Sequence, residues 1–75
     1  MGIDHSAPEY VYLQLAAILR EKIRSGELPP RAKLPTLVEL TDIYDVAPMT
    51  ARRAIAVLVS EGLVVTYPGR GTFVA

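Results

Sequence analysis

The 75-residue sequence has no cysteine and no tryptophan, a single histidine, a single phenylalanine and no excess of either charge. Each shortage closes a route. Without thiols there is neither a disulfide framework nor a thiolate metal site, and one histidine cannot assemble a zinc cluster; such a composition suits a reducing cytoplasm, where the chain is expected to work. No apolar run approaches the roughly 18 residues that a membrane span needs, and Met1-Gly2-Ile3-Asp4-His5-Ser6 lacks the basic-then-apolar order of a secretory signal. The same residues fit the loose Met-Gly-x-x-x-Ser myristoylation pattern, which is short enough to arise by chance. No membrane partner and no cofactor are expected. His5, Tyr10, Tyr12 and Tyr67 form no acid, base and nucleophile constellation in the sequence, and a chain this short offers no pocket with convergent polar groups, so an enzyme is not expected either.

What is present suits one small globular domain. Hydrophobic residues make up 51% and charged residues 21%, far from the polar compositions that stay disordered. At this length only about 60% of the unfolded chain's surface is buried on folding, so the core is modest. Eight basic and eight acidic residues cancel, which argues against a polyanion partner; their placement softens that objection. Residues 1–45 hold five Lys/Arg against seven Asp/Glu, whereas 46–75 hold three Arg against Glu61 alone.

Apolar periodicity predicts three helices, at about 8–25, 36–44 and 48–61. In the first, Tyr12, Leu15, Ala16, Leu19 and Ile23 recur at helical spacing, with Ser6 and Glu9 as a capping box, Pro8 in the first turn and Gly26 as a left-handed stop. Leu28-Pro29-Pro30 then turns the chain, and Ala32-Lys33-Leu34 suits a short strand. Thr36 and Glu39 predict a second capping box, with a core face of Leu37, Leu40 and either Ile43 or Tyr44. A tight turn follows at Tyr44-Asp45-Val46, where Asp45 tolerates a left-handed backbone and Val46 enters the core. Pro48 opens the third helix, whose inward stripe is Ala51, Ala54, Ile55 and Leu58, and Gly62 ends it. Leu63–Tyr67 and Thr72–Ala75 predict a hairpin around Pro68-Gly69-Arg70-Gly71, a wing over about 63–75. The order reads as a mainly α fold with a small β-hairpin wing: a three-helix winged helix-turn-helix filling residues 1–75 as one domain.

Such a fold touches double-stranded DNA with its last helix and its hairpin tip. Arg52, one turn into helix three, is the candidate base reader, because a guanidinium can donate a bidentate pair to guanine. Arg53 lies about 100° around the helix and reaches a phosphate or merely solvates the flank. Thr50 is placed to donate to a phosphate or base edge, while Ala47, Pro48 and Met49 offer only packing against sugars or thymine methyls. Arg70, between Gly69 and Gly71, suits a narrow minor groove, and Lys33 and Thr36 suit a phosphate beside helix two.

Several of these fragments recur together in one family. Leu34-Pro35-Thr36, Glu39-Leu40, Thr50, Arg52-Arg53-Ala54, Leu58, Glu61-Gly62-Leu63-Val64 and Gly69-Arg70-Gly71-Thr72-Phe73-Val74, with Tyr12-x-Gln14-Leu15-Ala16 upstream, resemble the GntR family of bacterial transcription regulators over about Pro8 to Val74. The resemblance implies an operator-reading domain of a repressor, dimeric on DNA in a full-length protein whose larger effector-binding domain is absent from this chain. It also marks departures. Leu37 and Val38 stand where the family commonly has glutamate and arginine, and Ala47-Pro48-Met49 replaces a capping hydroxyl and another common arginine. Arg31 and Asp45 stand at common glycines. The alternative reading is a winged-helix protein-interaction module without DNA binding, favoured by zero net charge and an apolar helix start.

Overall fold

A computed structural model describes residues 2–6 and 10–75. Three helices, α1 (Val11–Arg24), α2 (Leu37–Tyr44) and α3 (Pro48–Ser60), precede an antiparallel hairpin of β1 (Val64–Tyr67) and β2 (Gly71–Val74). The first helix starts later than its periodicity predicts, because Tyr10 is extended (φ −62°, ψ 137°) and serves as its N-cap without a side-chain hydrogen bond. The expected Pro8 first turn and the Glu9 half of the capping box lie outside the described residues. Ser6 itself turns to Asp4, whose Oδ1 accepts from the Ser6 amide and hydroxyl. Asp4 and Gln14 exchange hydrogen bonds of 2.8 and 2.9 Å, which tie the N-terminal segment to α1 and lay Ile3 against the core.

Helical spacing places the buried residues. Leu15, Ala16 and Leu19 of α1 meet Ala51, Ala54, Ile55 and Leu58 of α3, with Leu34, Leu40, Val46, Val64 and Val74 completing the cluster. The alanines keep the helices close. Leu15, Leu19, Leu40 and Leu58 are wholly buried, and truncating any one to alanine costs about 2–5 kcal/mol by this kind of cavity. Tyr44, not Ile43, completes the inner face of α2: Tyr44 is half-buried, whereas Ile43 is 62% exposed. Ile18, outside the predicted stripe, is buried too, in a recess shared with Ile3 and Tyr44.

Turns are set by backbone chemistry. The Arg70 amide donates to the Tyr67 carbonyl at 2.9 Å across Pro68-Gly69, with Gly69 at φ 77°. The Ala32 amide likewise donates to Pro29 at 3.0 Å across Pro30-Arg31, with Arg31 at φ 70°. Both have proline first and a positive φ second, the type II pattern that favours glycine; the second turn imposes it on an arginine. Asp45, at φ 54° and ψ 54°, is the left-handed C-cap of α2 and sends Val46 into the core. Beyond the Arg31 turn, Lys33 bridges Phe73, and hydrogen bonds Val74 N–H to Ala32 and Leu34 N–H to Thr72, both 2.8 Å, dock this segment on the free edge of β2. The predicted short strand is thus a one-residue bridge, and the hairpin is pinned to the helices.

One long-range ion pair braces α1 against the end of α3. Arg20 donates through Nε and Nη2 to the two carboxylate oxygens of Glu61, at 2.9 and 2.7 Å. The hydrogen bonds from Arg20 hold the Glu61 carboxyl below the usual carboxylate range. A depressed folded-state value means stability that is present above the unfolded value and lost as pH falls through the folded one. Glu61→Gln should therefore be less stable than the parent in denaturant titrations at neutral pH, with the gap closing in acid. A gap that stays constant with pH would assign the contribution to packing. Arg31→Gly should raise Tm, by at most about 4–8 °C, since left-handed strain of about 1 kcal/mol is relieved against glycine's larger unfolded-state entropy. Asp45→Gly should gain less, because aspartate tolerates this region better.

Candidate nucleic-acid interface

The buried stripe of α3 determines what the helix shows to solvent. With about 100° per residue, the direction opposite the midpoint of Ala51, Ala54, Ile55 and Leu58 falls within about 10° of Met49, with Arg53 about 30° to one side and Arg52 about 70° to the other. Met49, 64% exposed, therefore lies at the middle of the outward face and the two arginines flank it. Thr50 sits at the margin, half-buried. Ala47 is the N-cap of α3 and, as its side chain dictates, makes no capping hydrogen bond; Pro48 holds the first position.

On the Arg52 side, α3 forms one wall of a groove. Lys33, Pro35, Thr36 and Leu37 line it from the segment entering α2, Arg52 and Ile55 from α3, and Thr66, Gly71 and Thr72 from the hairpin. Four predicted site residues, Lys33, Thr36, Arg52 and Gly71, thus share one concavity although 38 positions separate the first from the last. Register explains the hairpin's share. Thr66 pairs with Thr72 on the same face as the buried Val64 and Val74, and the two threonine hydroxyls meet at 3.1 Å. Gly71, at φ 121°, lets Lys33 pass: a Cβ there would stand 2.9 Å from Lys33 Cε.

Thr36 performs the predicted capping. Its hydroxyl accepts from the Glu39 amide at 3.1 Å and the Glu39 carboxylate accepts from the Thr36 amide at 2.8 Å, the latter bond lowering the Glu39 carboxyl from its usual range. The box therefore occupies two amides at this end of α2 and places a carboxylate near Lys33, so an anion arriving there meets less positive field than a bare helix end provides.

Gly69 and Arg70 form the hairpin tip. Arg70 lines the outer side of the hairpin, with Arg31, Val65, Tyr67 and Phe73, and not the groove that holds Arg52. Arg53 turns away from the groove as well. Its Cζ lies 4.1 Å from the centroid of the Tyr12 ring, on α1, and that partner carried no signal in the sequence because it is local neither in chain nor in helix spacing. Val38 on α2 is 69% exposed, at the position where the family resemblance implies arginine.

Charge is sorted in the same way. Arg20 and Lys22 pair with Glu61 and Glu27. Lys33, Arg52, Arg53 and Arg70 make no ion pair among the described residues. A chain of zero net charge consequently presents cations without ion pairs around α3 and the hairpin, while Glu21, Glu27 and Asp45, with Lys22 among them, line a recess between α1 and the far end of α2. Among the described residues no helix is long and apolar enough to cross a membrane, and no group of His, Asp and Glu is disposed to hold a metal.

Comparison with known proteins agrees with this architecture. The chain is 39% identical, over all of its length and 31% of the relative's, to the HTH-type transcriptional repressor NagR of Bacillus subtilis. It spans about 30% of the curated relatives it matches. Its fold superposes on the AraR(DBD) complex with operator ORE1 with a TM-score of 0.85 and 34% identity, covering 100% of this chain and 94% of that one. YtrA from Sulfolobus acidocaldarius, a GntR-family transcription factor, superposes with a TM-score of 0.88 and 36% identity over 96% of this chain and 76% of its own. The model of the bacterial regulatory proteins of the gntR family matches residues 11–74, and with its three helices and antiparallel hairpin the chain belongs to that family.

Proposed function

We propose that this domain reads an operator in double-stranded DNA for a repressor, with α3 in the major groove and the hairpin tip beside it in the minor groove. The observation that carries this reading is the common groove of Lys33, Thr36, Arg52 and Gly71 next to the outward face of α3. A major groove about 12 Å wide admits a helix of that size, and its edges carry the least ambiguous hydrogen-bond code. Arg52 is the base reader, directed at guanine O6 and N7. Met49, central on the helix and without a donor, packs on a thymine methyl or a sugar, and Thr50 donates to the backbone or a base edge. Lys33 and Thr36 meet a phosphate at the entrance to α2. Gly69 and Gly71 let the turn approach the minor groove closely, and Arg70 supplies its charge. The domain works in the cytoplasm and, within a longer dimeric regulator carrying an effector domain, places two copies on half-sites about 34–36 Å apart. The repressor and operator named for NagR and AraR favour this over a docking module.

In vitro selection from random duplexes, followed by anisotropy titrations on the selected and a scrambled site, tests the assignment. Arg52→Ala should lose about 5-fold to 150-fold on the selected site and little on the scrambled one, the equivalent of about 1–3 kcal/mol of discrimination. Lys33→Ala should weaken both alike and reduce the magnitude of the log–log salt slope by about 0.9. Equal losses on both sites for Arg52→Ala, or binding that ignores salt, would contradict the reading.

A further inference from the structure

The groove accounts for the Arg52 side of α3, and the opposite side carries a second prepared cation. Arg53 is exposed, yet its guanidinium is laid over the half-buried ring of Tyr12, 4.1 Å from Cζ to centroid. Tyr12 is stacked in turn on Tyr10, with centroids 5.9 Å apart and ring planes at 26°. The body of Tyr12 packs on the core, so the stack is anchored at one end and wet at the other, Tyr10 being 69% exposed. A guanidinium on a ring face gives up none of its donors, because all five N–H groups lie in its own plane and point outward from the rim. Among the described residues no carboxylate or carbonyl takes them. Stacking restricts a flexible side chain in advance and leaves a planar fork ready for a pair of anionic oxygens. A purely structural cation–π pair would be no better for facing outward, whereas Arg53 points only about 30° from the outward direction of α3.

We propose that Arg53 on Tyr12 is a preformed phosphate-binding site at the α1–α3 junction, with Tyr12 as its positioning residue. It takes the DNA backbone on the α1 side of the recognition helix, while Lys33 takes the backbone on the hairpin side, so that α3 is gripped from both flanks. This rests on the DNA-binding reading above. The two are separable, since base selectivity follows Arg52 whereas this site follows salt.

The test is the salt dependence of binding to a random-sequence duplex by the intact chain. Arg53→Ala and Tyr12→Leu should each lower affinity a few-fold and reduce the magnitude of the salt slope by about 0.9. The double variant should lose no more than either alone, and Tyr12→Phe, which keeps the ring face, should match the parent. An unchanged slope for Arg53→Ala overturns the site. Loss of slope in Arg53→Ala but not in Tyr12→Leu overturns the positioning role, and so does a Tyr12→Leu that only melts earlier. Should Tyr12→Leu fail to fold, the parent chain decides: the Arg53 side-chain protons should show an upfield ring-current shift in solution and move on adding duplex, and absence of either effect overturns the proposal. A parent that binds no duplex at all sinks the DNA reading and this site with it.

Discussion

The seating of α3 is the constraint from which the remaining features follow. Ala51, Ala54, Ile55 and Leu58 form a buried stripe with two alanines in it, and the absence of bulk at those two positions lets α1 and α2 approach the helix closely. Once that stripe is buried, helical geometry allows no choice about the rest: Met49 faces outward and Arg52 and Arg53 fall to either side. A slip of one residue would carry Arg52 toward the core, where an unpaired guanidinium is prohibitive. Packing energy and the orientation of the charged groups are therefore specified by the same four side chains.

Neutral overall charge is reconciled with a polyanion partner by sorting. Two cations are matched by carboxylates on or beside α1, one carboxylate is engaged in capping α2, and of the cations without an ion pair among the described residues Lys33, Arg52, Arg53 and Arg70 lie around α3 and the hairpin while Arg24 ends α1. Long-range steering is correspondingly weak for a molecule of zero net charge, and contact-range forces must supply more of the affinity. Met49 and Val38 add exposed apolar surface to this neutral molecule, at 64% and 69% exposure.

Much of this was legible in the sequence because it depends on local periodicity. The α3 stripe, the Thr36–Glu39 capping box, the left-handed Asp45 and the hairpin follow from spacing and from turn chemistry within a few residues. The features with no mark in the sequence depend on partners distant in the chain. Apolar periodicity starts α1 too early because Tyr10 is extended there, and Ile18 lies outside the apolar stripe yet is buried beside Ile3 and Tyr44. The Arg20–Glu61 pair joins residues 41 apart, and the Arg53–Tyr12 contact likewise joins two helices; no pattern along one helix announces either. Lys33, Thr36, Arg52 and Gly71 each stand out singly along the chain, but only the fold brings them into one groove and sets Arg70 on the other side of the hairpin.

The most direct test of the central claim is amide chemical-shift mapping of the chain titrated with duplex DNA. An α3 seated by its alanine stripe places the perturbed amides in Lys33–Leu37, Met49–Arg53 and Gly69–Thr72, with a smaller set at Tyr12. Perturbations concentrated instead at Glu21, Ile43 and Asp45, around the recess between α1 and the end of α2, would contradict it.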